Sequence, residues 1–224
     1  MADPNVAGYY TTSDRTAYAF LARGAKTYAA DRDRPGLPST SRLSPHLHWG
    51  EISPRCVWLR VRRELNGRET EKRAVKAVEK FLKELCWREF SYHLLHHCPE
   101  LPTRNYDLKF DAYPWKQDPD ALARWQMGLT GYPLVDAGMR QLWLTGWMHN
   151  RVRMVVASFL VKDLQLDWRE GEAWFWDTLV DADLAANSAS WQWVAGSGAD
   201  AAQYVRIFNP TLQSKKFDSD AAFI

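Results

Sequence analysis

The chain has 224 residues, of which 46% are hydrophobic and 25% are charged, with a formal net charge of +2 at pH 7. These values are ordinary for a globular chain of about one domain with a sizeable core. The weak net charge does not by itself indicate nucleic-acid binding, so any basic surface must be local.

Cysteine usage and hydropathy exclude two further classes of protein. Cys56, Cys86 and Cys98 are an odd number of thiols without a CxxC pair, which argues against a disulfide framework and predicts buried thiols in a reducing compartment. No apolar run is long enough to cross a membrane, and the N-terminus lacks a signal-peptide core. We therefore expect a cytoplasmic protein.

The first half of the chain predicts helices separated by proline-rich breaks. Residues 14–31 carry apolar side chains at helical spacing, namely Tyr18, Leu21, Ala25 and Tyr28, and Pro35, Gly36 and Pro38 then break the pattern. Ser44-Pro45 and Ser53-Pro54 each resemble an N-cap followed by a first-turn proline. Asn66-Gly67 ends the second of these helices.

A long helix is predicted from an N-cap at Thr70 to Cys98, where Pro99 stops it. Its expected buried stripe consists of Val75, Val78, Leu82, Leu85 and Cys86. Residues 99–118 resemble a loop that ends in an Asp118-Pro119 cap. Further helices are predicted over 119–127, 133–145, 148–164, 168–180 and 183–194. Without an alternating strand pattern, the expected fold class is all-α.

The two ends of the chain differ from this pattern. Residues 1–12 have no clear periodicity and are interpreted as a linker or disordered N-terminus, and residues 13–224 as one helical domain. The final segment, FDSDAAFI, stops where a new amphipathic segment could begin, so we expect a domain truncated at its C-terminus.

The segment STSRLS, residues 39–44, is a candidate anion site. Hydroxyl groups and an arginine stand immediately before a helix start, where exposed N–H groups attract phosphate. Ordinary capping of the helix is the alternative interpretation.

Two other patterns are weaker candidates for a site. GSGADA, residues 196–201, matches a dinucleotide fingerprint, but the segment before it resembles a helix and not a strand, so we expect a plain turn. His93 and His97 lie one helical turn apart but lack a third ligand, so we expect a histidine-rich helix surface and no metal site.

Charged and aromatic residues near the C-terminal helices allow two interpretations each. Arg151 and Arg153 point to different helix faces, so one could meet a phosphate and the other an internal carboxylate, or both could be exposed. Asp181 and Asp183 complement a helix start, or they face a buried cation or a polar ring system. Trp191 and Trp193 must face different environments. The other tryptophans, such as Trp174 and Trp176, are expected in the core.

Motifs in a fixed order add a family resemblance. STSRLSP, ELCWREF, TGYPLVDAGMRQL, TGWMHNRVRM, SFLVKDL, DWREGE, DADLAAN, WQW and RIFNPTLQSKKFD occur in that order between residues 28 and 218. Together they resemble the FAD-binding catalytic domain of the DNA photolyase and cryptochrome family. The resemblance implies an all-helical, multi-helix FAD-binding domain without the family's N-terminal α/β antenna domain.

The resemblance also implies an activity. It is light-dependent repair of cyclobutane pyrimidine dimers in UV-damaged DNA, in which excited reduced FAD donates an electron to a dimer flipped out of the duplex. The implied enzyme is a carbon–carbon lyase of the class I cyclobutane type, acting as a monomer. An antenna pigment is not expected to bind this chain.

The resemblance implies residues for the cofactor. Contacts to FAD phosphate and ribityl groups are implied for Tyr28, Thr40, Ser41, Arg42, Leu43 and Ser44, and an aromatic contact for Phe81. Arg153 and Asp181 resemble an ion pair beside the flavin, and Asp183 another flavin contact. Asn187 matches the asparagine near flavin N5, which is the choice typical of repair enzymes.

Substrate contacts and an electron relay are implied in the same way. Glu84 resembles the carboxyl that hydrogen-bonds the dimer, and the other implied substrate or DNA contacts are Arg32, Trp87, Asn150, Arg151, Trp193 and Gln213. Trp191, Trp168 and Trp115 resemble the tryptophan relay that photoreduces the flavin, from flavin to surface. Two alternatives remain, a cryptochrome-like photosensor without repair and an inactive truncated fragment.

Overall fold

The structure is a computed structural model that describes residues 16, 19–20, 27–65, 72–201 and 206–224. The chain divides into two compact units. Unit 1 comprises residues 1–32 and 37–87, and unit 2 comprises residues 33–36 and 88–224. Thr70, Asn66-Gly67, the N-terminal segment 1–12 and most of the first predicted helix lie outside the described residues.

Unit 1 is built from short helices and the first part of a long one. In the part of this unit that the structure describes, they include α1 (Tyr28–Asp31), α2 (Ser44–His48), α3 (Pro54–Leu65) and α4 (Lys72–His97), which continues into unit 2. The Ser53 hydroxyl accepts a hydrogen bond from the Cys56 amide at 3.1 Å, which confirms the predicted cap of α3. The predicted Ser44 cap is wrong, because α2 begins at Ser44 and buried Leu43 holds the N-cap position by packing.

The buried face of α4 is narrower than its sequence pattern predicts. Val78, Leu82 and Leu85 are buried as expected, but Cys86 is exposed. One residue turns a helix by about 100°, which carries Cys86 off the stripe that Leu85 completes. The expectation of buried thiols is wrong more widely, because Cys56 is also exposed and Cys98 is half-buried, and all three are free.

Unit 2 contains the remaining helices in nearly the predicted positions. They are α5 (Pro119–Gln126), α6 (Pro133–Thr145), α7 (Asn150–Ser158), α8 (Trp168–Thr178), α9 (Leu184–Ala195) and α10 (Pro210–Phe217). The predicted Asp118 cap is confirmed by a 2.9 Å hydrogen bond from the Ala121 amide. The 3-10 helix Leu108–Ala112 and α10 were not predicted.

The predicted helix 148–164 is interrupted. After α7, residues Phe159–Asp163 form a π-helical turn, and the Leu164 amide donates to the Phe159 carbonyl at 3.0 Å. Lys162 in this turn donates to the carbonyl of Ala195, the last residue of α9. Such π-helical turns are rare in proteins overall, and those that occur often lie near functional sites.

The core of unit 2 surrounds α7 and α9 and includes fully buried Trp125 and Trp168. The prediction of a core position for Trp176 is wrong, because 49% of its surface is exposed. Trp174 is half-buried and stacks on exposed Trp143 with ring centroids 5.9 Å apart. Phe175 takes the buried side of α8, Trp174 packs against the edge of the core, and Trp176 is turned away from it.

The structure confirms the all-helical class and the plain turn at GSGADA. No strand occurs in the described residues, and a helix precedes the glycines. The amides of Gly196, Ser197 and Gly198 all donate to the Gln192 carbonyl, so this turn closes α9 and does not cradle phosphate. Across the described residues, no helix is both long and apolar enough to cross a membrane.

Candidate functional site

The loop before α2 presents polar groups from a fixed backbone. The Ser39 hydroxyl donates to the Asp31 carbonyl at 2.8 Å, and buried Leu43 anchors the other end. Arg42 has a φ of 51°, in the left-handed region that non-glycine residues seldom adopt. Thr40 and Ser41 are half-buried, and Arg42 and Ser44 are exposed, so the loop can meet an anion from the solvent side.

Tyr28 and Phe81 lie together in the core of unit 1. Their ring centroids are 5.4 Å apart in an edge-to-face arrangement, and Phe20 packs against both rings. Both residues are buried. The structure therefore gives these two predicted cofactor contacts a clear packing role.

Three predicted substrate residues occupy neighbouring positions in unit 1. Arg32 donates to the Glu84 carboxylate in a close ion pair, and its guanidinium lies 5.1 Å from the Tyr28 ring centroid. Trp87 follows Glu84 by three positions on α4, which places both on one helix face, and it is 51% exposed. An acidic group and an aromatic face are thus offered side by side.

An open cavity of about 190 Å³ lies in unit 2 between α7, α8 and α9. It collects six of the predicted residues, which are Asn150, Arg153, Asp181, Asp183, Asn187 and Trp191. The other predicted residues of unit 2 do not line it. Its remaining wall is mostly apolar and includes Met154, Leu179 and Val194.

The predicted ion pair of Arg153 and Asp181 lies at this cavity. Arg153 Nη2 approaches the two carboxylate oxygens of Asp181 at 2.9 and 3.1 Å, and Arg153 Nε donates to the Met148 carbonyl at 2.8 Å. The Asp181 side chain is 1% exposed. A buried, doubly held pair of this kind fixes both charges and can orient a polar ring system beside them.

Asp183 is occupied by groups of its own chain. One carboxylate oxygen accepts from the Ala186 amide at 2.9 Å and caps α9, and the other accepts from the Tyr92 hydroxyl and from Arg88 at 3.5 Å. Burial, together with the hydrogen bond to Asp183 and its negative charge, raises the pKa of the Tyr92 phenol. Tyr92 and Arg88 are partners that the sequence analysis missed.

Asn187 is oriented by the neighbouring helix. Its Nδ2 donates to the Glu172 carbonyl at 2.9 Å, and the residue lines the cavity. The next residue, Ser188, donates to the Glu172 carboxylate at 3.0 Å. Burial, only partly offset by the Ser188 hydrogen bond, raises the pKa of the Glu172 carboxyl. Glu172 was also missed, since only its contact with α9 distinguishes it from other helix glutamates.

The predicted relay tryptophans differ in depth. Trp191 lines the cavity and is 2% exposed, with its ring centroid 5.0 Å from that of Phe175. Trp168 is fully buried and donates from Nε1 to Asn105 Oδ1 at 3.0 Å. Trp115 is half-buried beside Tyr113 at 4.4 Å. Depth thus decreases from Trp191 and Trp168 to Trp115.

Trp193 faces a different environment from Trp191, as expected. It is half-buried, and its ring lies 6.3 Å from Phe208 and 4.6 Å from the Arg206 guanidinium. Gln213 is half-buried on α10.

The arginines at positions 151 and 153 have different partners, as their spacing predicts. Arg151 pairs with Asp33 at 2.9 Å, whereas Arg153 meets the internal carboxylate of Asp181. Asn150 is exposed at the start of α7.

The histidine cluster shows no metal-binding arrangement. The rings of His93 and His97 lie 4.4 Å apart on the surface of α4. Among the residues that the structure describes, no three metal-ligating side chains converge.

Comparison with known proteins identifies the family. Residues 81–224 match the family model described as the FAD binding domain of DNA photolyase. The chain belongs to this family. It is 55% identical over 205 residues to a deoxyribodipyrimidine photo-lyase from Agrobacterium fabrum, and the match covers 92% of this chain and 42% of that protein. The chain therefore spans less than half the length of that relative.

Solved structures give the same result. A bacterial class III photolyase from Agrobacterium tumefaciens matches with a TM-score of 0.89 and 53% identity, over 94% of this chain and 43% of that one. A cryptochrome from Synechocystis matches with a TM-score of 0.84 and 34% identity, over 96% of this chain and 45% of that one.

Proposed function

We propose that this chain is the FAD-binding catalytic part of a DNA photolyase that splits cyclobutane pyrimidine dimers in light. The proposed partner is UV-damaged DNA, and the reaction class is carbon–carbon lyase. The reduced state of the flavin, a monomeric chain and a cytoplasmic location belong to the same proposal. Within the family, the 53% identity to a class III photolyase favours that class over the class I type that the motifs suggested. No antenna pigment is assigned to this chain.

The cavity of unit 2 carries the proposal. A flavin ring is a flat apolar body with a polar edge, and this cavity combines an apolar wall with the buried Arg153–Asp181 pair and the Asn187 side chain. Its volume of about 190 Å³ is below that of sites for whole drug-sized ligands, which suits one ring system of a larger cofactor. The residues present therefore fit a flavin.

Each proposed cofactor residue then has a physical task. FAD, when bound, supplies the light absorption and the electron that dimer splitting needs. Arg153 and Asp181 orient the polar edge of its ring, Asn187 presents Oδ1 to it, and Asp183 holds the start of α9 in place. In unit 1, hydroxyls and the guanidinium of residues 40–44 bind phosphate, and packing by Tyr28 and Phe81 supports that unit.

The proposed substrate residues separate into two kinds. Glu84 hydrogen-bonds the flipped dimer and holds it in position, and exposed Trp87 and half-buried Trp193 offer aromatic faces to the bases. Arg32, Asn150, Arg151 and Gln213 contact the DNA. Contacts to the phosphate backbone position the strand and do not read its sequence.

The proposed relay residues transfer an electron to the flavin from the protein surface. Trp191 lies at the cavity, Trp168 is fully buried and Trp115 is half-buried, an order that supports electron transfer from solvent inward. Because each indole can lose and regain an electron, removal of the outermost one must interrupt the chain.

Two measurements on the purified chain test the function. After incubation with FAD and desalting, a retained flavin band with vibrational shoulders is expected. The reduced, flavin-loaded chain should then restore an oligonucleotide that carries a thymine dimer under blue light but not in the dark. Retained flavin without repair excludes the lyase, and no retained flavin indicates an inactive fragment.

A flavin photosensor without repair is the second candidate. The similarity to the Synechocystis cryptochrome structure supports it, because the same helical domain serves a protein of that name. The complete set of proposed lesion contacts favours the lyase instead. Light-driven dimer splitting by this chain would exclude the sensor, whereas light-dependent flavin reduction without splitting would support it.

A further inference from the structure

Arg151, one of the proposed DNA contacts, is held by an acid of its own chain. Its Nη2 lies 2.9 Å from Asp33 Oδ1, and the side chains of Arg151 and Asp33 are 16% and 31% exposed. The guanidinium also lies 4.7 Å from the ring centroid of Phe217 and 5.9 Å from that of Phe208. Arg151 is therefore oriented before any nucleic acid arrives.

The bond to Asp33 leaves the guanidinium only partly satisfied. The Arg151 Nε atom is buried and has no hydrogen-bond partner, whereas Nη2 lies against the Asp33 carboxylate. An arginine fork best fits an anion whose two oxygens engage two of its N–H groups at once. Since a buried donor without an acceptor is costly, the site favours a ligand that reaches Nε as well.

The neighbourhood of Arg151 attracts anions. Lys216 lies 5.0 Å from the same Phe217 ring, and Lys215 beside it is exposed. Arg151 also stands in the first turn of α7, where the helix dipole is positive and the His149 side chain accepts from the Arg151 amide at 3.1 Å. A phosphodiester offers two unesterified oxygens and a full negative charge, which match this surrounding.

We propose that Asp33 occupies, in the free chain, the place that a DNA backbone phosphate takes on Arg151, and that the phosphate displaces it. This inference rests on the proposed DNA-repair function and adds an internal competitor to it. The competitor keeps Arg151 extended in the absence of DNA. It also lowers the affinity for a strand that brings a phosphate to this position, because the phosphate must first displace the carboxylate.

The segment that carries Asp33 is anchored close by. A methyl group built on Gly36 would come within 2.9 Å of the Ala222 Cβ, so Gly36 at the end of this segment packs tightly against the C-terminal residues. Displacement of Asp33 is therefore a movement of its side chain into solvent, while the backbone of the segment stays in place.

The decisive variant is Asp33→Asn, with Asp220→Asn as its matched control. Asp220 is an exposed acid of the same unit. Each substitution removes one carboxylate, so both variants change the net charge equally. Fluorescence anisotropy with a labelled duplex that carries a thymine dimer should show that Asp33→Asn binds up to about fivefold more tightly than the control. Equal or weaker binding by Asp33→Asn would overturn the inference.

A double-mutant cycle ties the effect to Arg151. Arg151→Gln should weaken binding and reduce the dependence of log affinity on log salt by about one phosphate contact. In the Arg151→Gln background, Asp33→Asn should then change affinity no more than Asp220→Asn does. An undiminished effect there would mean that Asp33 acts through general charge repulsion, contrary to the inference.

A measurement on the unaltered chain covers the case in which Asp33→Asn fails to fold. The ¹⁵Nε–Hε resonance of Arg151, assigned by its loss in Arg151→Gln, should shift when duplex DNA is added. Inorganic phosphate at equal phosphate concentration should shift it less, because it lacks the other contacts of the strand. An unmoved resonance in the presence of bound DNA refutes the displacement alone, whereas no DNA binding by any variant refutes the proposed function as well.

Discussion

Gly171 of α8 lies directly against the indole of Trp191 on α9, so closely that a methyl group at position 171 would overlap the ring. Trp191 also lines the cavity proposed for the flavin. The absence of a side chain at one helix position therefore sets where an aromatic wall of the site stands.

Gly171→Ala should push the Trp191 ring toward the cavity. Overpacking of a buried contact costs about 1–3 kcal/mol of the free energy of unfolding, and the displaced ring should also weaken FAD retention. Thermal unfolding and the flavin content after desalting measure the two effects. Ala173→Ser, at an exposed position of the same helix, is the control and should change neither. If Gly171→Ala kept full stability and flavin content, α8 and α9 would have moved apart without an energetic cost, contrary to this prediction.

Glu172 should make stability depend on pH. Burial raises the pKa of its carboxyl above the ordinary value of 4.5, so the folded state favours the protonated form. Its stabilising contribution is present below the ordinary pKa and is lost as the pH rises through the raised value. Glu172→Gln should therefore melt at a higher temperature than the unaltered chain at neutral pH and similarly at acidic pH. Glu170→Gln, at an exposed position of α8, should show no such difference.

Glu84→Ala should slow dimer splitting without removal of the flavin. The Glu84 carboxylate is one third exposed and lies beside Arg32, so its loss removes a hydrogen-bonding group that holds the dimer in position, on the order of a hundredfold in rate. Repair under saturating light and flavin absorbance are measured on the same sample. Glu79→Ala, at an exposed position of the same helix, serves as the comparison. Parallel loss of flavin and repair in Glu84→Ala would mean that its role is misassigned.

Trp115→Phe should block photoreduction of oxidised flavin and spare repair by chemically reduced enzyme. Phenylalanine keeps an aromatic side chain beside Tyr113 but is far harder to oxidise, so the relay would lose its outermost member. Flavin bleaching under blue light with an external reductant monitors the first effect. Trp176→Phe, which alters an exposed tryptophan outside the proposed relay, should photoreduce normally. Unchanged bleaching in Trp115→Phe contradicts the relay assignment.

Local signals made most of the helices predictable. Pro133 and Gly146 bound α6 at its predicted ends, and Asp118 caps α5, because these residues act through the backbone within one turn. The Arg153–Asp181 pair was foreseen from motifs, and the structure forms it. Its role beside a flavin, like that of every other site residue, stays a prediction.

Features that depend on tertiary contacts were not predictable. Cysteine and tryptophan are residue types that are often buried, yet Cys86 and Trp176 each lie one position beyond the buried face of their helix. The ion pair between Asp33 and Arg151 joins residues far apart in the sequence, and no local sequence pattern indicates it. The resemblance identified which residues matter, but it did not reveal which of them bind each other.

The π-helical turn Phe159–Asp163 has a consequence for how the chain tolerates insertions and deletions. A π turn holds one residue more than the α-helical turn that would replace it, so deletion of a single residue there could restore a regular helix. With one residue fewer, the chain would leave the end of α7 in a direction rotated by about 100° about the helix axis. The four residues that lead to Trp168 would then have to span a different path. The full burial of Trp168 therefore depends on the additional residue in the π-helical turn that precedes it.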